Sequence, residues 1–290
     1  MLRHHRDNWR GETELRLNVE TLIGSPRSVR LKGVVRENSR TRTLLFEEAM
    51  ETCSITPGQF LMVWVPGIDE VPMSISHWDP PILGFTVAPI GSSTRALCAM
   101  EEGDWIGVRG PFGKPFQISQ SDALVVGGGV GAAPLRPLVY SLVEQNTDVT
   151  LLLAGKTAGD LVFVEEFEKR AGDRLSLEIA TDDGSAGFQG LADMATEMLC
   201  DRCKPEIIYT CGPELMMYKL VKIAQNRGIE IQASLERFMK CGCGICGTCA
   251  MDSDGSMVCL EGPVFTGEKL RELTEFGRYH RESTGVKKEY

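Results

Sequence analysis

Short apolar runs separated by turn residues fill the chain from about Val29 to Gln117. Each run is rich in β-branched and aromatic side chains, and Pro or Gly stands between most of the runs. Runs of this length and composition are typical of strands, and a close succession of them predicts a small antiparallel barrel. The predicted barrel strands are VRLKGVV, TLLFE, QFLMVWV, LGFTVAP and DWIGVRG.

The hydrophobic period changes after Ser119, where ALVVGGGVGAAPLRPLVYSLVEQ predicts a buried strand, a glycine turn and a helix. Continuous apolar strands that alternate with helices are the signature of a parallel sheet covered on both faces. Residues 119–228 are therefore predicted to form a Rossmann-like unit. Its later strands are VTLLLAG, LSLEIAT and PEIIYTCGP, its later helices are LVFVEEFEKRA, LADMATEMLC and ELMMYKLVKIAQNRG, and a last strand, IEIQASLE, follows.

These patterns divide the 290-residue chain into five predicted segments, and the predicted fold class is an antiparallel β-barrel plus α/β. High charge and low apolar content predict weak order in residues 1–25 and in the last fifteen residues. The segments are an N-terminal extension (1–27), the barrel (28–118), the Rossmann-like domain (119–228), a cysteine-rich cluster domain (229–265) and a C-terminal tail (266–290).

Composition narrows the classes of function. The chain has no run of eighteen apolar residues, and its charged N-terminus lacks the apolar region of a signal peptide, so we expect a cytoplasmic protein that does not enter a membrane. Ten cysteines without a secretory signal indicate a reducing compartment, where clustered thiols are more often metal ligands than disulfides. The net charge of -9 argues against a nucleic-acid partner.

Glycines follow the first strand of the Rossmann-like unit in VVGGGVGAAPL. Glycine there lets the backbone approach phosphate oxygens, and the next helix supplies free N–H groups. Pro134 replaces the usual third glycine of the dinucleotide fingerprint, and a purely structural tight turn is the alternative. Two further loops, TDDGSAGFQG and CGPELMM, also follow strands. The candidate nucleotide-binding residues are Gly128, Gly129, Gly131, Asp183, Cys211, Gly212 and Pro213.

Four cysteines lie within nine positions of MKCGCGICGTCAM, residues 239–251. Thiolates are soft ligands that suit iron-sulfur clusters or zinc. Together with Cys259, the spacing C-x4-C-x2-C is that of a plant-type 2Fe-2S site. We therefore predict that a 2Fe-2S cluster is bound and that Cys243 is not a ligand. The predicted ligands are Cys241, Cys246, Cys249 and Cys259.

Two other metal sites compete with this prediction. Cys243, Cys246 and Cys249 resemble the start of a bacterial 4Fe-4S run, but that run needs a further Cys-Pro where this chain has Ser253 and Asp254. A zinc ribbon usually has two separate C-x2-C pairs, and no second pair follows the first. The 2Fe-2S prediction is preferred to both.

The predicted barrel carries hydroxyl groups in DEVPMSIS and FTVAPIGSST. Taken alone, Ser74, Ser93 and Thr94 could contact a phosphate or cap turns, and capping is the more frequent use. The four histidines form no metal-ligand pattern, and no residue is predicted to be catalytic in itself.

The order of barrel, Rossmann-like unit and C-terminal 2Fe-2S loop resembles the ferredoxin-NADP reductase superfamily. Within it, the chain resembles the electron transfer subunits of class 1B dihydroorotate dehydrogenases. The likeness covers about residues 28–265. The motifs that carry it are VPMSIS, IGSST, GGGVGAAPL, TDDGSAGFQG, CGPELMM, ERFMKCGCGICGTC and MVCLEGPVF.

The resemblance implies three cofactors: FAD on the barrel, NAD on the Rossmann-like unit and a 2Fe-2S cluster that faces a partner. The partner would be an FMN-containing catalytic subunit that oxidises dihydroorotate to orotate in pyrimidine (UMP) biosynthesis, in a heterotetramer with two copies of each subunit. This chain would relay the electrons to NAD. The implied FAD-binding residues are Val71, Pro72, Met73, Ser74, Ser93 and Thr94.

One departure from the family pattern concerns FAD. Family members commonly have Arg at the head of the flavin motif, whereas this chain has Val71, so a bidentate phosphate contact would be missing and FAD retention weaker. The turn AGKTAGDLVF has Lys156 but no Arg cluster for a 2′-phosphate, which favours NAD over NADP.

Two alternative functions use the same modules. The chain could be the flavin and iron-sulfur subunit of an NADPH-dependent ferredoxin or sulfur reductase or of a cytoplasmic hydrogenase. It could also be a non-enzymatic iron-sulfur regulatory protein whose flavin site has decayed.

Overall fold

The computed structural model describes residues 24–48, 55–282 and 284–290. Most of the predicted N-terminal extension, residues 1–23, lies outside the described residues.

Six antiparallel strands close a barrel in the order β1-β2-β5-β4-β3-β6. All five predicted strands are present, and the fold class predicted for this half is confirmed. The sixth strand, β4, was not among the predicted strands because Pro72 cannot donate to a ladder and is rare inside a sheet. The bounds are β1 Arg27–Arg36, β2 Arg42–Glu47, β3 Phe60–Val65, β4 Asp69–Asp79, β5 Ile82–Val87 and β6 Trp105–Phe112, with helix α1 (Ser92–Cys98) between β5 and β6.

A seven-stranded sheet follows in the order β10-β9-β8-β7-β11-β12-β13. Its pairs are parallel except for β12 with β13, as the continuous apolar runs predict. The strands are β7 Ala123–Gly128, β8 Val149–Gly155, β9 Leu175–Thr181, β10 Phe188–Gln189, β11 Ile207–Cys211, β12 Glu230–Ser234 and β13 Val264–Thr266.

Helices connect these strands and cover the sheet. The glycine turn after β7 forms a 3-10 helix, Gly129–Gly131, and a second 3-10 helix spans Ala158–Asp160. The α-helices are α2 Ala132–Glu144, α3 Val164–Arg170, α4 Ala192–Cys203, α5 Glu214–Arg227, α6 Val258–Glu261 and α7 Gly267–Glu272. No helix in the described ranges is long and apolar enough to cross a membrane.

The sheet continues past residue 228, where the sequence predicts the end of the Rossmann-like unit. Strand β12 pairs with β11 along its whole length, and β13 pairs with β12 after the cysteine-rich stretch. One apolar core joins Phe60 and Met62 of the barrel to the sheet and to Cys249 and Cys259. The cysteine-rich stretch is therefore packed against both larger units.

The C-terminal residues differ from the predicted weak order. Strands β14 (Tyr279–Arg281) and β15 (Lys287–Glu289) form an antiparallel hairpin. Asp252, in the segment after Cys249, accepts hydrogen bonds from Tyr279 Oη at 2.7 Å and from Arg281 Nη2 at 2.9 Å. The hairpin is thus attached to the cysteine-rich stretch by polar contacts that the composition of the tail does not reveal.

Candidate functional site

The cysteine-rich loop begins where β12 ends and winds back against the barrel. Gly242 and Gly244 have φ of 72° and 78°, in the left-handed region that glycine adopts without strain. A Cβ at Gly242 would lie 2.6 Å from Met62 Cγ of the barrel. Glycine is required there both by the turn and by the close approach to β3.

Backbone N–H groups of this loop point at sulfur atoms. Cys241 Sγ accepts from Ile245 N at 3.3 Å and from Cys246 N at 3.4 Å. Cys259 Sγ accepts from Gly244 N at 3.2 Å, and Cys249 Sγ accepts from Cys259 N at 3.4 Å. Such donors stabilise the negative charge of thiolate ligands.

The same contacts change the acidity of the thiols. Burial opposes ionisation of Cys241, but hydrogen bonds from its loop neighbours outweigh burial and lower its pKa to about 6. A hydrogen bond from the Cys259 thiol lowers the pKa of Cys249 to about 7, against the effect of burial. Burial and the adjacent Cys241 raise the pKa of Cys243. The loop therefore favours thiolates at Cys241 and Cys249.

The predicted ligands fall into two pairs. The Cys241 thiol lies beside the thiols of both Cys246 and Cys243, and the Cys249 thiol lies beside that of Cys259. Among the described residues, no three His, Cys, Asp or Glu side chains converge as ligands of a single metal ion. Two pairs are nevertheless the arrangement for a cluster with two irons and four thiolates. The Cys243 thiol also contacts Cys241, so it stays close to the site.

The predicted flavin residues of β4 divide between two faces of the barrel wall. Val71 and Met73 pack against the barrel interior, opposite Val63 and Leu61. Ser74 is paired with Phe60, on the side of the wall that meets the sheet. Val71 thus brings no charge to the site, and Ser74 is the member of the motif with a polar side chain on the outer face.

The hydroxyl of Thr94 serves as a helix cap. Its Oγ1 accepts hydrogen bonds from Ile90 N at 2.9 Å and from Gly91 N at 2.8 Å, which fixes the start of α1. Ser93 is buried. Of the two uses considered for these hydroxyls, capping is the one that Thr94 makes.

The glycine turn and the CGP loop lie in contact. A Cβ at Gly131 would be 2.6 Å from the Cys211 carbonyl oxygen and from two backbone atoms of Gly212. A Cβ at Gly128 would be 2.8 Å from Pro213 Cδ. These five predicted residues therefore form one surface at the carboxyl ends of β7 and β11, where open α/β sheets bind ligands.

The two remaining predicted residues of this edge differ from those five. A Cβ at Gly129 would have no neighbour within 4 Å, so this glycine borders open space. Asp183 follows β9, two strands away from β7, and its Oδ1 accepts from Ser185 N at 2.9 Å and from Ser185 Oγ at 2.6 Å. These hydrogen bonds lower the pKa of Asp183 and hold its own turn.

Sequence reasoning missed Glu236 beside Cys211. Burial raises the pKa of the Cys211 thiol well above its usual range, and the Glu236 carboxylate raises it further. Desolvation of its carboxyl group raises the pKa of Glu236. The available signal was its position two residues after the end of β12, at the same sheet edge as Cys211.

Arg136 of α2 was also missed. Its Nη1 lies 3.3 Å from the Ser76 carbonyl oxygen and 3.4 Å from His77 Nδ1, both on β4. Its guanidinium is paired with Glu166, with Nε to Oε1 at 2.9 Å. Arg136 therefore fixes the helix after the glycine turn against the barrel strand that carries the predicted flavin motif.

Comparison with known proteins adds family relations to this geometry. Residues 236–271 match the iron-sulfur cluster binding domain of dihydroorotate dehydrogenase B, and residues 125–222 match an oxidoreductase NAD-binding domain. The "Probable dihydroorotate dehydrogenase B (NAD(+)), electron transfer subunit" of Methanocaldococcus jannaschii is 41% identical over 89% of this chain and 96% of its own length. The protein of the same name from Methanothermobacter thermautotrophicus is 39% identical over 90% of this chain and 96% of its own length.

Solved structures give the same picture of the fold. An NADH-dependent reduced ferredoxin-NADP oxidoreductase, described in the context of flavin-based electron bifurcation, superposes with a TM-score of 0.76 at 28% identity. The alignment covers 86% of this chain and 92% of that one. The flavohem-like FAD/NAD-binding domain of a nitric oxide dioxygenase from Vibrio cholerae, 21% identical with a TM-score of 0.64, shares the fold.

Proposed function

The chain belongs to the electron transfer subunits of dihydroorotate dehydrogenase B, and from this premise we propose how its residues divide the work. As such a subunit of an NAD-linked oxidoreductase, it uses a 2Fe-2S cluster, FAD and NAD, and it serves pyrimidine biosynthesis beside a catalytic partner subunit. We propose further that the partner contains FMN and that the complex is a heterotetramer with two copies of each subunit. The free thiols of the described cysteines fit a reducing compartment, and we propose the cytoplasm.

The proposed cluster ligands are Cys241, Cys246, Cys249 and Cys259. The observation that carries this assignment is that backbone N–H groups donate to the sulfurs of Cys241, Cys249 and Cys259, with the Cys246 thiol beside that of Cys241. Cys243 lies between two left-handed glycines in the four-residue spacer and is proposed to be a bystander. When bound, the cluster would exchange single electrons, and FAD, which can accept electrons one at a time, would deliver two electrons with a proton as a hydride.

The remaining site residues are proposed to bind and orient. Gly129 borders open space and would let the nicotinamide cofactor approach the backbone near the start of α2, while Gly128 and Gly131 let the turn pack against the CGP loop. Cys211, Gly212 and Pro213 close that surface from the side of β11, with Asp183 at its far end. These placements follow from the shared edge of the sheet.

For FAD, we propose that Ser74 is the main polar side chain of the β4 motif. Pro72 shares the outer face with Ser74 and would contribute an apolar contact, whereas Val71 and Met73 pack inward and would act through their backbone. The Thr94 cap would keep α1 and Ser93 in place. Because no arginine stands at position 71, charge on the FAD phosphates is less well neutralised than in relatives that carry one. We therefore expect FAD to be lost during purification more readily than the cluster.

The ligand assignment is tested by three single variants purified without oxygen. Cys243→Ser should keep iron content and visible absorbance near wild type. Cys241→Ser and Cys246→Ser should each lose most of the cluster, while the far-UV circular dichroism that reports secondary structure stays unchanged. Loss of iron in Cys243→Ser with retention in Cys241→Ser would contradict the assignment and favour the 4Fe-4S set.

A further inference from the structure

A partly buried ion pair of the barrel lies directly against the cysteine-rich loop. Arg109 of β6 is 8% exposed, and its Nε and Nη2 donate to Glu70 Oε1 and Oε2 at 2.8 and 2.6 Å. The same Nη2 donates to the Cys241 carbonyl oxygen at 3.1 Å. A cation from one unit of the protein thus touches the backbone of the first proposed cluster ligand in another.

The surroundings hold this contact in place. The loop residue next to Cys241 is Gly242, which packs on Met62 and Phe112 of the barrel. The Arg109 guanidinium lies 5.5 Å from the centre of the Phe112 ring. A two-pronged pair with a carboxylate fixes both distance and direction of the charge. Arg109 therefore has a defined position relative to the loop.

The burial of this pair separates it from a neighbouring one. Lys240 and Asp69 also join the loop to β4, with Nζ and Oδ2 2.7 Å apart, but their side chains are 49% and 46% exposed. The side chains of Arg109 and Glu70 are 9% and 20% exposed. Water and salt screen exposed charges strongly and buried ones much less. Of these two pairs, the Arg109 pair is therefore the less screened by water and salt.

We propose that Arg109, held by Glu70, is a positioning residue that sets the reduction potential of the cluster in the Cys241 loop. The inference rests on the ligand set proposed above. Reduction of a cluster adds negative charge, which a nearby buried cation favours and a nearby buried anion opposes. Arg109 is the cation in contact with the loop, and Glu70 is the anion paired with it. The charge of Arg109 should therefore raise the reduction potential of the cluster, and the charge of Glu70 should lower it.

The test is a redox titration of the purified holoprotein, followed by visible and electron paramagnetic resonance spectra. Arg109→Gln removes the positive charge while Glu70 keeps its negative charge, and it should lower the midpoint potential of the cluster. Glu70→Gln removes the negative charge while Arg109 keeps its positive charge, and it should raise the midpoint potential. The double variant should return towards the wild-type potential, and Arg109→Lys should lie nearer to wild type than Arg109→Gln. Lys240→Gln is the exposed control and should shift the potential least.

The two single variants should shift the potential in opposite directions, so a structural disturbance common to both cannot explain the expected result. If Arg109→Gln loses its cluster, the rise expected in Glu70→Gln still decides the question. Shifts of both single variants in the same direction, or unchanged potentials in variants with full iron content, would overturn the inference. A wild-type protein that binds no cluster would overturn the proposed ligand set itself, and this inference with it.

Discussion

Replacing Gly131 by alanine tests whether the glycine turn and the CGP loop form one nicotinamide-binding surface. The backbone of Gly131 has φ of -62° and ψ of -12°, which alanine adopts without strain, so the perturbation is steric alone. The added Cβ would lie 2.6 Å from three backbone atoms of Cys211 and Gly212, whereas ordinary contact begins at 3.4 Å. The turn and the loop must therefore separate by about 0.8 Å.

This separation should lower both the stability of the protein and its activity with NADH. Overpacking of this kind costs roughly 1–3 kcal/mol, and because the atoms in the way are backbone the upper half of that range applies. The free energy of unfolding should fall accordingly, with a decrease in Tm of roughly 2–4 °C per kcal/mol for a domain of this size. Displacement of a binding surface by about 1 Å can cost around 100-fold, so we expect kcat/KM for NADH to drop by about 10- to 100-fold.

The assay combines thermal unfolding with NADH oxidation by an artificial acceptor, and visible absorbance reports the cluster. Gly172→Ala is the matched control, because a Cβ there has no neighbour within 4 Å and the backbone is not left-handed. Gly131→Ala should lose NADH activity while cluster absorbance stays normal. A Gly131→Ala protein with the Tm and NADH kinetics of Gly172→Ala would refute the proposed contact between turn and loop.

Three further outcomes are expected. NADH should give a higher kcat/KM than NADPH because Lys156 has no arginine cluster around it in the turn after β8; steady-state kinetics with the reverse order would contradict this. Arg237→Met should lower the free energy of unfolding by roughly 3–5 kcal/mol, because it removes the cation paired with the buried carboxylate of Glu214. A denaturant midpoint equal to that of the wild type would refute this prediction. Burial and the Arg136 charge lower the pKa of His77, so the folded state favours the neutral ring and stability should fall as pH drops below about 6.5. His77→Gln should weaken that fall, and an unchanged pH profile of Tm would exclude His77 as its source.

Local patterns were sufficient for much of the fold. The barrel strands and the βα units were predictable because their hydrophobic periods match the faces they bury. Strand β4 was not, because Pro72 is unusual inside a sheet, and only closure of the barrel pairs it with Met62. Strand β13 has three residues and pairs with β12 across the whole cysteine-rich stretch, so its register depends on tertiary packing.

The candidate site also combines residues that the sequence reveals with residues that it does not. The cysteine spacing and the glycine loops are local and were visible in the sequence. Arg109 and Arg136 were not, because each acts on a residue more than 20 positions away in the chain: Cys241 and Ser76 respectively. A lone charged residue in a strand or helix carries no local mark of its partner.

The most direct test of the relay is reduction of NAD by dihydroorotate with and without the catalytic partner. The purified chain alone should pass electrons from NADH to an artificial acceptor and should leave dihydroorotate unchanged. Addition of the FMN-containing partner should produce NADH and orotate in equal amounts. Oxidation of dihydroorotate by the isolated chain, or no NADH formation by a complex in which all three cofactors are bound, would contradict the account.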